Sequence, residues 1–333
     1  MTKDFRSDNT LGCSTEILDA MTRAAAGTAT SYGNDEITAR VRGRCREIFE
    51  RDVDVFPVIT GSAANALAVA SMTEPWGAVF CHVDAHIQRD ELGGVEFFSG
   101  GAKLITIPGA DGKLHPVDVQ NAIDDVRNGR KTAVPSVLSL TNATEAGTVY
   151  TNDELRSLVE VARRNQLRVH LDGARLANAI ASATIRLDGV DILSFGATKN
   201  GGLTADLIVV FNKQLAEGVS IRWHRSGHRT SKSRFLSAQI EAYLANDLWL
   251  RNARHANAMA ARLRDGISGN VEIVHPVDAN MIFVRLDKRA YESLARHGFL
   301  FYDWPIYGPD IYRIVTGFST TPEDVDQLAA ALR

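Results

Sequence analysis

The sequence predicts an α/β protein built on a largely parallel sheet covered by helices. Short runs rich in β-branched and other apolar residues alternate with longer helical stretches along most of the 333 residues. A capping signature marks one of those stretches as a helix lying between two apolar runs. The end of the chain repeats the strand–helix alternation on a smaller scale.

Taken in order, Ala78-Val79-Phe80, Lys103 to Ile107, Ala133 to Leu140 and Leu167 to Leu171 read as strands. Asp118 to Arg127 and Thr151 to Asn165 read as the helices between them. In the second, Thr151 is placed to cap the first turn, and Glu154 three residues on completes a capping box. A long helical pattern from about Ser237 to Arg264 then leads into two strands, Val271–Val274 and Met281–Arg285. A helix around Lys288 to His297, a strand at Tyr312–Thr316 and a helix after Thr321-Pro322-Glu323-Asp324 complete the chain. This βαβα ending predicts a large domain over residues 1–240 and a small C-terminal α/β domain over 241–333. No repeat, low-complexity tract or Pro/Gly/Ser linker interrupts them.

Composition narrows the function. Hydrophobic residues at 45% and charged residues at 23% exclude a disordered or fibrous chain. Lys and Arg number 37 against 40 Asp and Glu, so no global basic field serves nucleic acid or an anionic membrane. Apolar runs such as Ile208-Val209-Val210-Phe211 fall far short of the roughly 18 residues a membrane span needs. The polar start MTKDFRSDNT carries no signal core. Cys13, Cys45 and Cys81 are scattered with no CxxC pair, which fits a reduced cytoplasm. His82 and His86 lie four apart, but no further ligand pattern supports a metal.

Lys199 is the first candidate for chemistry. It follows the apolar run Asp191 to Phe195 and stands between Thr198 and Asn200-Gly201-Gly202. A lysine held there can lose solvation and become an amine nucleophile, although a solvated loop lysine is the blander alternative. The two glycines allow something bulky to approach the backbone. Asp172, in Leu171-Asp172-Gly173-Ala174-Arg175, shifts the balance by placing a carboxylate at a strand's C-terminal end. Such an Asp can keep a pyridine nitrogen protonated, which makes pyridoxal phosphate an electron sink; a turn or helix cap is its other reading. An anion cradle is also present. Gly61, Ser62 and Ala63 follow the run Val55 to Ile59 and open a helix whose free N–H groups suit a phosphate. The segment is neither a Walker A loop nor GxGxxG, which counts against ATP or a dinucleotide. His86 is placed to stack on a ring or act as a base, and Arg313 to clamp a carboxylate; a structural histidine and an ordinary salt bridge are the alternatives. Arg222 to Arg234 carries five basic residues and no acid, and reads as a solvated, phosphate-contacting or intersubunit loop rather than an RNA-binding one.

In order along the chain, Arg6-Ser7-Asp8-Asn9-Thr10, Tyr32-Gly33-Asn34-Asp35, Gly61-Ser62-Ala63-Ala64-Asn65, His86-Ile87 with Glu91 and Gly93, Leu171 to Arg175, and Phe195 to Gly201 form a specific set. With Ser231-Lys232, Arg234-Phe235 and Ala238-Gln239, this set resembles the threonine aldolase family of fold-type I pyridoxal phosphate enzymes, in its low-specificity and phenylserine branch. The resemblance implies a retro-aldol cleavage of L-threonine, L-allo-threonine or a related β-hydroxy-α-amino acid to glycine and an aldehyde. It implies that Lys199 carries the cofactor, Asp172 pairs with its ring nitrogen and His86 stacks over the ring. Gly61, Ser62 and Ala63 would hold the phosphate, while Ser7, Arg175 and Arg313 would orient the amino-acid carboxylate. It also implies a homotetramer made of dimers, in which Tyr32 and the 222–234 segment reach a neighbour's site. Many family members carry a histidine where Thr144 stands here, which leaves Glu145 or His86 to manage the hydroxyl proton. A β-eliminating lyase or an aminotransferase would use the same lysine, aspartate and arginine clamp.

Overall fold

A computed structural model describes residues 2–129 and 133–333. Its strands are β1 (Lys3–Asp4), β2 (Asp54–Val58), β3 (Gly77–His82), β4 (Lys103–Ile107), β5 (Val134–Thr141), β6 (Arg168–Gly173) and β7 (Ile192–Gly196). They continue as β8 (Asp206–Val210), β9 (Glu272–Ile273), β10 (Met281–Arg285), β11 (Phe299–Leu300), β12 (Tyr302–Asp303) and β13 (Ile311–Val315). Seven form the main sheet in the order β2-β8-β7-β6-β5-β3-β4, with β8 antiparallel to both its neighbours and the other pairs parallel.

Helices cover this sheet on both faces, so its inner strands read as unbroken apolar runs rather than alternating ones. In β8, Leu207 and Val209 enter the apolar layer that holds Ile123, Leu158 and Trp249, whereas Ile208 and Val210 enter the opposite layer with Leu67 and Val69. The helix Asn152–Arg164 opens with the predicted capping box, Thr151 and Glu154 each bonding the other's backbone.

Because the parallel strands run together, their C-terminal ends share one edge. Thr141 of β5, Asp172 of β6 and Ser194 of β7 sit in register across it. The reversal of β8 brings its first residue, Asp206, to the same edge opposite Gly196.

The structure departs from the sequence reading in four places. The long helix expected from Ser237 to Arg264 is two helices, Arg234–Leu244 and Leu248–Ile267. Asn246 and Asp247 between them adopt positive φ of 50° and 54°, which their short polar side chains tolerate. The apolar pattern runs on across the break, so periodicity alone joins them. Part of the basic segment is helical: Arg222 and Arg225 close the helix Ala216–Arg225. The C-terminal unit contains a four-stranded antiparallel sheet, β12-β13-β10-β9, and the two-residue strands were too short to show a pattern. Finally, β1 pairs with β11, Lys3 with Phe299 and Asp4 with Leu300. The N-terminal segment, grouped by sequence with residues 1–240, is therefore bonded to the C-terminal unit. Phe5 anchors it there, buried with Leu263, Ile282 and Val325.

Phe5→Ala should cost about 3–5 kcal/mol through the cavity it leaves. Equilibrium denaturation of the holoenzyme should show the loss.

Candidate active site

A cavity of about 330 Å³ opens at the C-terminal edge of the main sheet, where open α/β sheets place ligands. Gly61, Ser62, His86, Asp172, Arg175 and Lys199 all line it. Residues that span more than a hundred positions in sequence thus share one wall.

Lys199 lies on a single turn, Thr198–Asn200, just past the end of β7. Asp206 holds that turn by accepting the Ala197 N–H at 2.8 Å and the Thr198 N–H at 3.1 Å. Asn200 pins its far side, donating to Tyr243 Oη and the Trp249 carbonyl, each at 2.8 Å. Burial, reinforced by the nearby Arg175 charge, lowers the Lys199 ammonium below its ordinary value. The glycines beside it do not admit a ligand. At Gly201, with φ at 105°, a Cβ would collide with Ser14 Oγ and Asn252 Nδ2, side chains of the chain itself.

Asp172 is buried at the end of β6, and both its oxygens accept hydrogen bonds. Ala174 N–H reaches Oδ1 at 2.9 Å and Asn65 Nδ2 reaches Oδ2 at 2.7 Å. Asn65 comes from the helix Gly61–Ala70, and its amide also donates to Glu91 Oε1 at 2.9 Å. The same oxygen accepts from His86 Nδ1 at 2.7 Å. That bond holds the His86 imidazole above its ordinary pKa and leaves Nε2 as the ring nitrogen free of Glu91. Beneath Asp172, His170 bridges the Ser139 and Ser194 hydroxyls at 2.9 Å each, and burial pushes it down to about 4. It is neutral at pH 7.

The phosphate cradle is narrower than the sequence suggested. Thr60 caps the helix, its hydroxyl accepting from Ala63 N–H at 3.2 Å, so that N–H is already engaged. Gly61 and Ser62, both in the wall, remain as first-turn residues whose N–H groups no helix carbonyl can reach.

Arg175 forms a buried bidentate pair with Asp8, Nε to Oδ2 at 2.7 Å and Nη2 to Oδ1 at 2.8 Å. Burial would raise the Asp8 carboxyl, but the Arg175 charge and bonds outweigh it and hold it low. Ser7 is outside the wall; its hydroxyl accepts the Asn9 N–H at 3.2 Å and caps the turn that presents Asp8. Arg313, also outside, lies on β13 with its guanidinium 4.0 Å over the Trp304 ring. Its Nη2 donates to the Arg6 carbonyl at 3.2 Å, its buried Nε has no acceptor, and burial beside Arg175 pushes it down to about 10. Tyr32 is half-exposed and tied by its backbone N–H to the Ser231 carbonyl at 3.1 Å, away from this chain's cavity.

Asn65, Glu91, Asp8 and Asp206 carry the geometry without having been assigned roles from the sequence. Asn65 left a trace as an amide inside Ala63-Ala64-Asn65-Ala66-Leu67. Asp206 left none, since only strand register brings it to Lys199.

The donor set fits pyridoxal phosphate. A carboxylate with its own donors satisfied faces the cavity, an amine of lowered pKa stands in the same wall, and a helix N-terminus offers two free N–H groups. The beta-eliminating lyase family matches residues 4–289. A low-specificity L-threonine aldolase of Pseudomonas aeruginosa is 38% identical over all of this chain and 97% of its own length. The chain belongs to the beta-eliminating lyase family, among the threonine aldolases. A second relative, the low-specificity L-threonine aldolase of Escherichia coli, is 27% identical over 99% of this chain and 98% of its own. The solved threonine aldolase of Leishmania major superposes with a TM-score of 0.93 at 29% identity, covering 99% of this chain and 98% of that one.

Gly201→Ala should displace Ser14 and Asn252 and shift the Lys199 turn, at a cost above about 1 kcal/mol from the positive φ alone. Thermal denaturation and cofactor occupancy, read from the visible spectrum, should both fall.

Proposed function

We propose that the protein is a pyridoxal phosphate-dependent, low-specificity L-threonine aldolase. It cleaves L-threonine, L-allo-threonine and related β-hydroxy-α-amino acids to glycine and an aldehyde. The observation that carries this reading is the meeting of Lys199, Asp172 and Arg175, the last held by Asp8, in one cavity wall.

Bound pyridoxal phosphate supplies an electron sink for the pair released when the Cα–Cβ bond breaks. Lys199 is the amine that carries it, its lowered pKa favouring the nucleophilic free base. Asp172, its two oxygens accepting from Asn65 and Ala174, would pair with the ring nitrogen's proton. His86, fixed through Nδ1 by Glu91, would stack on the ring. Gly61 and Ser62 bind the phosphate. Arg175 spends Nε and Nη2 on Asp8, leaving Nη1 for the substrate carboxylate. In the same reading Arg313 and Ser7 help to orient that carboxylate, although neither lines the cavity of this chain. Clamping the carboxylate would fix rotation about Cα and so select which of its bonds breaks.

The assembly belongs to the same reading: a homotetramer of dimers in the cytoplasm, with a small amino acid as substrate and no nucleic-acid partner. In this reading Tyr32, half-exposed with Arg229 6.0 Å from its ring, contributes to a neighbour's cavity. The described cysteines are all unpaired, as a reducing compartment requires. Among the described residues no helix is long and apolar enough to cross a membrane.

Lys199→Ala should lose the visible cofactor band and lower aldehyde release from L-threonine by at least about 10³-fold. The circular dichroism spectrum should stay unchanged. Normal turnover by this variant would refute the mechanism; a parent that shows the band but releases no aldehyde would move the assignment to a β-eliminating lyase or aminotransferase.

A further inference from the structure

Glu145 is the group in the cavity that this mechanism leaves without a task. It follows the end of β5, in the segment where Thr141, Ala143 and Thr144 also line the wall. Its Oε1 accepts the backbone N–H of His86 at 2.9 Å and the Thr141 hydroxyl at 3.2 Å. Its Oε2 is buried and has no hydrogen-bond partner. A buried carboxylate oxygen without a donor is costly, and substrate is the donor such a site can expect.

We propose that Glu145 Oε2 is the base that takes the β-hydroxyl proton of the substrate. The inference rests on the aldolase reading above. The other titratable groups of the wall are engaged elsewhere. His86 donates through Nδ1 to Glu91, and that bond favours the protonated ring, a poor base. Thr144, which stands where a histidine is common in the family, bonds the Thr148 hydroxyl at 2.8 Å. Both Asp172 oxygens have donors, and Asp206 holds the Lys199 turn. Lys199 and Arg175 serve cofactor and carboxylate.

The step balances. The O–H bond breaks, its proton passes to Glu145, and the oxygen's electron pair forms the aldehyde C=O. The Cα–Cβ bond breaks with its pair left on Cα. Glu145 then releases one proton to solvent as Cα gains one, giving glycine. The setting suits this duty. Burial first, and the Asp172 charge second, push the Glu145 carboxyl up to about 7, near the pH at which a base is most effective. His86 and Glu145 are tied through one backbone bond, which holds the carboxyl beside the histidine.

The test compares Glu145→Gln with the parent holoenzyme in two reactions. One is acetaldehyde release from L-threonine; the other is exchange of the glycine Cα proton in deuterated buffer, which involves no hydroxyl. Aldehyde release should fall by about 10²–10⁴-fold in kcat with KM little changed, while exchange falls less than about tenfold. The acidic limb of the parent's kcat profile, centred near 7, should vanish in the variant. Glu145→Asp should recover part of the rate. Stability gives a readout independent of turnover. The folded carboxyl has its pKa above the unfolded one, so its contribution is full below about pH 4.5 and is lost as the pH rises through about 7. The variant's Tm should therefore gain on the parent's between those values. Aldehyde release within about fivefold of the parent, or equal loss of both reactions, overturns the proposal. A parent that exchanges glycine but releases no aldehyde overturns the aldolase reading itself. In that outcome the parent fails, not the variant.

Discussion

The site depends first on where the strands of the main sheet stop. Parallel strands deliver their C-terminal residues to a common edge, and register then decides which side chains meet there. Thr141, Asp172 and Ser194 stand abreast because β5, β6 and β7 are in step. A slip of one residue would turn Asp172 to the other face and bury an unpaired carboxylate in the helix layer. The neutral His170 guards against it, since from two residues before Asp172 it bonds Ser139 on one neighbouring strand and Ser194 on the other. The antiparallel β8 adds the piece that parallel strands could not. Its start, rather than its end, arrives at the edge, and so Asp206 lies beneath the turn that carries Lys199.

A second constraint joins the two units. The buried Asp8–Arg175 pair connects a turn stitched to the C-terminal sheet with the strand end that carries Asp172. Asn280, at the start of β10, adds a bond of 3.2 Å to Asp8 from the C-terminal side. A buried ion pair gives little net stability, yet removing one partner typically costs about 3–5 kcal/mol because the other is left charged and alone. The pair therefore serves position more than stability. It holds Arg175 in the cavity wall through Nε and Nη2.

Charge within the cavity is arranged in opposed halves. Arg175 and Lys199 stand in one part of the wall with Arg313 outside it, and burial together with repulsion from Arg175 lowers the pKa of the lysine and of Arg313. Asp172, Glu91 and Glu145 surround His86 on the other, joined through the Asn65 amide and the His86 backbone. A substrate that brings a carboxylate to the first half and a hydroxyl proton to the second is complementary to both. This arrangement favours a β-hydroxy-α-amino acid over one lacking the hydroxyl.

Much of this was legible in the sequence. Apolar runs and the Thr151–Glu154 capping box are local signals, readable because helix and strand impose fixed periods and termini on neighbouring residues. Lys199, Asp172, Gly61 and Ser62 could be singled out because each stands where a predicted strand hands over to a turn or helix. What tertiary structure alone decided depends on distance between segments remote in the chain. It alone gave the pairing of Asp8 with Arg175 and the seat of Asp206 under Lys199. The Asn65–Glu91–His86 chain and the bond of β1 to β11 likewise needed the fold. Sequence periodicity also missed the break at Asn246-Asp247, where two positive φ values redirect a helix without disturbing the apolar pattern. A hydrogen bond or ion pair forms wherever folding brings donor to acceptor, and nothing in either residue's neighbours records the partner.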